Sequence, residues 1–305
     1  MGVTVWLRPQ PRLALFRPPY TEFETIDTQW TFADVPPRGN ALVWWLVDAA
    51  RQESEFEWLY ERPPAVPLVV VLPAARDIGR TLPLLNCLSA LDPRAILPAS
   101  RIVEPSRIRG LLAVPPRQLG EAVSTYLTRR GLLTDDDIRR EVRRTFELAG
   151  EVKSISRLAV RLHSSRRTLG RHFEKAGLPV PSHWLQFARL LHVAIRLQSE
   201  RAAAFRIACR FGYPDGFTMS NQMKRLIGCR PTEVRRCAGW EWIIESWLCQ
   251  EARRGSIDPH RYGDAIRIYL PTPNNSRTRR HLALYRDEPA QSPPSDTGHA
   301  ARPVR

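Results

Sequence analysis

The stretch SISRLAVRLHSSRRTLGRHFEKAG, residues 154–177, decides the fold of this chain. Its apolar residues recur at spacings of three and four on both sides of His163-Ser164-Ser165, which is typical of two amphipathic helices joined by a short turn. Ser165 can cap the second helix, because a serine hydroxyl accepts a backbone N–H of the first helical turn. We therefore predict a helix-turn-helix unit from Ile155 to Ala176.

The same pattern returns at residues 205–228, FRIACRFGYPDGFTMSNQMKRLIG. Gly212 supplies a permissive backbone for the turn, and Asp215 can cap the helix that follows. The residues predicted to face inward are Ile207, Ala208, Phe211, Met219, Met223 and Leu226. The sequence therefore predicts a second helix-turn-helix unit from Phe205 to Ile227.

One helix is predicted to connect the two units, at residues 181–200, PSHWLQFARLLHVAIRLQSE. Its inward face is formed by Trp184, Ala188, Leu191 and Ile195. At about 1.5 Å per residue the helix is roughly 30 Å long, close to the ~34 Å of one turn of B-DNA. The second helices of the two units could then enter successive major grooves on one face of a duplex.

The exposed faces of these two second helices carry cations and hydrogen-bonding groups of the kind that contact phosphates and base edges. The candidate DNA-binding residues are Ser165, Arg166, Arg167, Arg171, Phe217, Thr218, Ser220, Asn221, Lys224 and Arg225. The pattern indicates base reading by Arg167 and Arg171, or phosphate contact as the alternative. In the second unit we expect Asn221 and Thr218 to reach bases and Lys224 and Arg225 to reach phosphates. The alternative for Asn221 is that it only caps or solvates the helix.

These residues resemble the DNA-binding domain of AraC-type transcriptional regulators, in which two helix-turn-helix units are joined by a connecting helix. The resemblance covers roughly Asp135 to Arg236. It depends on Leu158-Ala159, Ser165 and Leu169 to Phe173 in the first unit, and on Ile207-Ala208, Gly212-Tyr213, Met219 to Lys224 and Gly228 to Arg235 in the second. It implies a DNA-binding transcription factor with an all-α double helix-turn-helix domain.

Four positions depart from the family pattern. His163 replaces a turn glycine, which is tolerable because histidine enters the left-handed region more readily than most residues. Met219 and Met223 replace aromatic anchors and keep the core apolar. Asn221 stands where many relatives have an arginine. The fold can be carried over from the family, but its operator sequence cannot.

Positive charge is concentrated in the region of the two helix-turn-helix units. Residues 135–254 hold 23 Lys and Arg against 13 Asp and Glu, whereas residues 1–134 hold 15 against 13. Because phosphate contacts need cations, this distribution favours double-stranded DNA as the partner. A second copy of the chain and RNA polymerase are the protein partners that this interpretation allows.

Other classes of site find little support in the sequence. The five cysteines, Cys87, Cys209, Cys229, Cys237 and Cys249, have no metal-ligand spacing, so we expect no zinc, no cofactor and mostly reduced thiols. The apolar run at residues 66–72 is too short to cross a bilayer, and no signal peptide is evident, so a cytoplasmic location is expected.

The region from residue 1 to 131 shows a different pattern. Leu13 to Phe16, Ala41 to Val47, Leu68 to Leu72 and Arg94 to Leu97 are strand candidates, and helices are expected at Arg80 to Leu91 and Pro116 to Arg130. This order predicts an α/β module with a largely parallel sheet, weakly resembling a receiver (flavodoxin-like) domain. An AraC-type sensory β-barrel is the alternative, disfavoured because evenly spaced strands and glycine turns are few.

A working receiver needs a carboxylate at a strand end with further acids to hold Mg²⁺. The strand that ends Val71-Leu72-Pro73 has none, and Asp48 and Asp77 are the only substitutes. We therefore predict a degenerate receiver used for dimerisation or for an unidentified input.

The predicted layout has three parts, at residues 1–131, 135–254 and 255–305. Thr134, followed by three aspartates, is predicted to cap the first helix of the DNA-binding domain, with Ile138, Val142 and Phe146 facing inward. A helical extension after Arg236 carries several tryptophans and is expected to pack on the back of the domain, with a partner surface as the alternative. The tail from Pro271 is predicted to be disordered.

Three functional classes remain. The first is a sequence-specific transcription regulator, and the second a nonspecific architectural DNA-binding protein. The third, an enzyme such as an AraC-fused methyl-acceptor repair protein, would need a reactive cysteine in a PCxxC-like or PCHR-like setting, which none of the five has. We therefore predict a regulator with no catalytic residues.

Overall fold

The short apolar runs of the N-terminal region pair into one open sheet. The computed structural model describes residues 12–27, 38–46, 58–72, 88–98, 103–258 and 262. In these residues the strands are β1 (Leu13–Phe16), β2 (Glu24–Thr25), β3 (Ala41–Trp45), β4 (Leu68–Leu72) and β5 (Ala95–Pro98). Their order across the sheet is β2-β1-β3-β4-β5, so the described strands do not close into a barrel.

The sheet is mixed, and the prediction of a largely parallel sheet was wrong for β1. Strands β3, β4 and β5 run parallel, whereas β1 runs antiparallel to both β2 and β3. Residues 17–23 are too few for a crossover, which needs about a dozen residues, so β1 and β2 form a hairpin. The strand order is flavodoxin-like, but the direction of β1 is not. The receiver resemblance stays a prediction, and Asp48 and Asp77 lie outside the described residues.

Both faces of this sheet are covered, which explains why its strands are continuously apolar. One face packs against helix α1 (Pro105–Ala113) through Ile108 and Leu112. The opposite face packs against residues 58–59, 66, 88 and 91. The predicted helix from Arg80 to Leu91 lies mostly outside the described residues, and residues 88–90 form one helical turn. Strand β2 and helix α1 were not predicted.

Nine further helices follow in the described residues up to 258, and this helical region confirms the predicted all-α domain. They are α2 (Leu119–Arg129), α3 (Asp136–Leu148), α4 (Ile155–Arg161), α5 (Arg166–Lys175), α6 (Pro181–Ser199), α7 (Ala204–Arg210), α8 (Gly216–Ile227), α9 (Pro231–Arg236) and α10 (Glu241–Arg253). Helix α6 has 19 residues and is therefore about 29 Å long.

Helix α3 begins one residue later than predicted, because Asp135 rather than Thr134 is its cap. The Asp135 carboxylate accepts hydrogen bonds from the amides of Asp137 and Ile138 at 2.9 and 3.0 Å. Both bonds lower the pKa of the Asp135 carboxyl, and the bond from Ile138 has the larger effect. A carboxylate reaches two orphan amides and also complements the helix dipole, which a threonine hydroxyl cannot match.

The tryptophan-rich extension is helix α10, and it packs inward as expected. The Trp247 ring stacks on Phe187 of α6, with centroids 4.2 Å apart, and meets Trp184 edge-on at 4.6 Å. Both Trp247 and Ile244 are fully buried. The extension is therefore part of the core of the helical half.

Several contacts cross the predicted boundary between residues 131 and 135. Arg130 donates to both carboxylate oxygens of Glu245 at 2.7 and 3.0 Å, and these side chains are only 5% and 1% exposed. The backbone N–H of Ala238 donates to the Tyr20 hydroxyl at 2.7 Å. All described residues belong to one compact unit, residues 1–269, whereas residues 270–305, which include the whole of the predicted disordered tail, lie outside the described residues. The division of the chain into three parts stays a prediction.

Candidate nucleic-acid interface

Helices α4 and α5 form the first helix-turn-helix unit. Leu158 and Ala159 of α4 and Leu169 and Phe173 of α5 are buried, as their spacing predicts. The hydroxyl of Ser165 accepts the amide of Thr168 at 3.0 Å, which confirms Ser165 as the cap of α5. Its hydroxyl also lies 2.8 Å from that of Thr168, so both hydroxyls are engaged within the protein.

The solvent face of α5 is a cluster of unpaired guanidinium groups. Arg166, Arg167 and Arg171 are exposed, and no described residue forms an ion pair or hydrogen bond with their side chains. A Cβ added at Gly170 would meet nothing within 4 Å, so the surface between Arg166 and Arg171 is open. An unpaired guanidinium is a fork of donors that suits phosphate oxygens or the acceptor edge of guanine.

Helices α7 and α8 form the second unit, with Ile207, Ala208, Met219 and Met223 buried. Phe211, predicted to face inward, is half-buried. Asp215 caps α8 by accepting the amide of Thr218 at 2.6 Å, and this bond lowers the pKa of the Asp215 carboxyl. Both glycines that border these helices have positive φ, +75° at Gly212 and +71° at Gly228. The turn and the end of α8 therefore need residues that tolerate this conformation.

The solvent face of α8 divides the predicted site residues into two groups. Phe217, Asn221 and Lys224 are exposed and pair with no described residue, and Phe217 is 76% exposed. The second group has partners: the Thr218 hydroxyl donates to Asp215 at 3.0 Å, and Arg225 donates to Gln186 of α6 at 3.0 Å. Ser220 is half-buried. Phe217, Asn221 and Lys224 are thus the α8 side chains most available to a ligand.

Arg189 of α6 holds the second turn, a role that the sequence analysis missed. Its guanidinium donates to the carbonyl oxygens of Phe211, at 2.9 and 3.2 Å, and of Gly212, at 3.0 Å. It also lies over the Tyr213 ring, 5.1 Å from the centroid. The available signal was an arginine within a helix that is otherwise largely buried. Such a residue needs fixed acceptors, and the carbonyls of a neighbouring turn provide them.

Two polar contacts orient the exposed helices on the scaffold. His172 of α5 lies 2.8 Å from the Glu141 carboxylate of α3. Burial raises the pKa of Glu141, although the contact with His172 opposes this shift. In the second unit, the amide of Gln222 donates to Gln186 at 3.4 Å. Each exposed helix is therefore tied to a different helix behind it.

The described residues contain no group of acids, histidines and cysteines suited to a metal ion. Cys209, Cys229, Cys237 and Cys249 are not in disulfide bonds. Burial raises the pKa of Cys229 to about 11 and that of Cys249 to about 12, which keeps these two thiols protonated near neutral pH. Cys87 lies outside the described residues. No helix in the part of the chain that the structure describes is long and apolar enough to cross a membrane.

Comparison with known proteins agrees with this geometry. Residues 158–237 match the model of a helix-turn-helix domain family of the AraC type, and the match runs from within α4 to the end of α9. Neither a curated protein nor a solved structure matches the chain. The matched segment contains both exposed helices, the connecting helix α6 and the Arg189 contact. The C-terminal half of this chain therefore carries an AraC-type helix-turn-helix domain, which belongs to a class of DNA-binding domains that regulate transcription.

Proposed function

We propose that this chain is a transcription regulator that recognises specific DNA sequences by placing α5 and α8 in two successive major grooves. The observation that carries this proposal is a pair of exposed helices with outward side chains that form no hydrogen bond or ion pair with a described residue: Arg166, Arg167 and Arg171 on α5, and Phe217, Asn221 and Lys224 on α8. Helix α6, which connects the two units, is about 29 Å long, against about 34 Å for one turn of B-DNA. The net positive charge of residues 135–254 supports the same partner.

The proposed roles of the site residues follow from their contacts. Arg167 and Arg171, together with Phe217 and Asn221, are proposed to reach base edges. Arg166 and Lys224 are proposed to contact phosphates. Thr218 and Arg225, which have partners within the protein, are proposed to shape the surface rather than to read bases. Ser165 belongs to the proposed surface as the cap of α5, and Ser220 as a half-buried residue of α8. A homodimer and a contact with RNA polymerase stay predictions.

Nuclease footprinting with the full-length chain on genomic fragments tests this proposal. We expect discrete protected sites, each holding two protected segments about 10 base pairs apart on one face of the duplex. Uniform protection without discrete sites would instead identify a nonspecific architectural protein. The salt dependence of binding is the second measurement, and Lys224→Ala should reduce the slope of log K against log salt by about 0.9. Arg107→Ala, an exposed arginine of α1, is the charge-matched control and should leave both measurements unchanged.

A further inference from the structure

The two exposed helices begin at equivalent capping residues, and this allows them to be compared position by position. Ser165 caps α5 and Asp215 caps α8, each through the amide of the third residue after the cap. The fourth and eighth residues after the caps are Leu169 and Phe173 in α5, and Met219 and Met223 in α8. All four are buried, with exposures of 0 or 1%. Helices α5 and α8 therefore present the same face to their cores and the same positions to solvent.

The second and sixth residues after each cap lie one helical turn apart on that solvent face. In α5 they are Arg167 and Arg171, whereas in α8 they are Phe217 and Asn221. All four side chains are exposed, and none pairs with a described residue. In helix-turn-helix proteins, the N-terminal part of the recognition helix contacts base edges. These two positions are therefore the ones best placed to read bases in both units.

Other solvent positions near the start of each helix contribute less. The third residue after the cap is a threonine in both helices, and both hydroxyls contact the capping residue. At the first position α5 has the free guanidinium of Arg166, whereas α8 has Gly216, which has no side chain. The first six residues of α5 thus offer three guanidinium groups, and those of α8 offer one phenyl ring and one primary amide.

We propose that the two units read half-sites of opposite composition, with α5 requiring guanine and α8 requiring A·T base pairs. This inference rests on the proposed function. An arginine donates two hydrogen bonds to O6 and N7 of guanine, whereas an asparagine exchanges two with N6 and N7 of adenine. The Phe217 ring can only make apolar contact, and the methyl group of thymine is the apolar group in the major groove. The operator is accordingly asymmetric, so the protein binds each site in a single orientation.

Selection of tight-binding sites from a pool of randomised duplexes by the full-length chain tests this inference. We expect enriched sites with guanine in one half and A·T pairs in the other, about one helical turn apart. Replacing a guanine, or an A·T pair, should weaken binding about 10-fold at each position. Enriched sites with the same composition in both halves would overturn this inference and leave the proposed function intact. Absence of any enriched sequence would overturn the proposed function as well.

Substituting the arginines of α5 at the equivalent positions of α8 tests which helix reads which half-site. Phe217→Arg combined with Asn221→Arg should replace the A·T preference in that half-site by a guanine preference and leave the other half-site unchanged. The reciprocal double variant, Arg167→Phe with Arg171→Asn, should select A·T pairs in both halves.

Arg107→Ala is the control and should select the original site. All four positions are exposed, so a thermal melt should show folded variants. If the α8 double variant does not fold, Asn221→Arg alone should gain guanine at one position. Unchanged preferences in a folded variant would overturn the inference.

Discussion

The two helix-turn-helix units share one sequence pattern, but their turns are held in different ways. The turn between α7 and α8 is fixed from outside, by the guanidinium of Arg189 on the carbonyl oxygens of Phe211 and Gly212. Both turns have the same local backbone bond, from Ser164 N–H to the Ala159 carbonyl at 2.9 Å and from Tyr213 N–H to the Ala208 carbonyl at 3.2 Å, but among the described residues no side chain from another helix donates to the first turn, between α4 and α5. The first turn also contains His163 with a positive φ of 52°. The pattern therefore specifies the shape of a unit, and the neighbouring helices decide how firmly it is held.

The helices behind the two units also differ. Helix α3 supports the first unit directly through Glu141, which contacts His172 of α5, and indirectly through Phe146, which meets Trp184 of α6 edge-on at 6.2 Å. The Trp184 ring in turn lies 6.2 Å from that of Phe173 in α5. Helix α10 packs against α8 in the second unit. In addition, Arg254, which follows α10, donates to the Arg225 carbonyl at 2.7 Å. We expect the two units to respond separately when one support is weakened.

The largest effect is expected from truncation of the aromatic core. Trp247→Ala and Phe146→Ala should each lower the free energy of unfolding by about 3–5 kcal/mol, because each leaves a cavity between buried rings. Chemical denaturation measures this loss. Both rings pack against Trp184 and Phe187 of α6, so α6 should exchange faster in both variants. Beyond this shared effect, we expect faster amide hydrogen exchange in α8 for Trp247→Ala, because α10 packs on α8, and faster exchange in α5 for Phe146→Ala. Equal acceleration of α5 and α8 in both variants would show that the two supports are not separate.

Arg189→Ala should have the next largest effect. It removes hydrogen bonds from a charged donor to two carbonyl groups, so we expect a loss of about 2–3 kcal/mol of folding stability. We also expect weaker DNA binding, concentrated in the half-site contacted by α8. Arg189→Lys should recover part of the loss, because an ammonium group cannot reproduce the fork of the guanidinium. Arg161→Ala, an exposed arginine of the first unit, is the control and should change stability by less than about 0.5 kcal/mol. Equal effects of Arg189→Ala and Arg161→Ala would remove the distinction between the two turns.

The sequence predicted the local features of the site and missed its supports. Helical periodicity and the capping residues Ser165 and Asp215 placed α5 and α8 closely, because both signals come from residues near each other in the chain. Arg189 and Phe211 are 22 residues apart, and their contact depends on how α6 packs against α7. In the N-terminal region, apolar runs identified the strands, but the direction of β1 depends on a short hairpin that periodicity does not encode. A contact between distant residues decided the first of these missed features, and a turn that periodicity does not register decided the second.

Substitutions at the two turn residues with positive φ should change stability by a smaller amount, and with opposite sign in the two units. Gly212→Ala places a side chain at φ +75°, which costs about 1–2 kcal/mol, and its Cβ would lie 3.2 Å from Arg189 Nη2. His163→Gly removes a strain of similar size at φ +52°, partly offset by about 0.5–1 kcal/mol of backbone entropy. We therefore expect Gly212→Ala to be less stable and His163→Gly slightly more stable than the parent chain in thermal unfolding. A loss of stability in His163→Gly would mean that the histidine side chain stabilises the first turn.

The smallest expected effect is a pH dependence that arises from His192 of α6, which lies between the two units. Its Nε2–H donates to the Phe146 carbonyl at 2.9 Å, and its ring stacks on Phe211 with centroids 5.5 Å apart. Burial, and then the charge of Arg196, lowers the pKa of His192 below its usual 6.5.

As pH falls below about 6.5 the unfolded chain binds a proton that the folded chain does not, so His192 reduces stability with acidification and has no effect at higher pH. The raised pKa of Glu141 acts in the opposite direction, because protonation of that buried carboxyl favours the folded state. The measurement is therefore the difference in melting temperature between the parent chain and His192→Gln from pH 7.5 to 5. It should change in favour of the variant only below about pH 6.5, and a difference that is constant with pH would show that His192 does not titrate differently on folding.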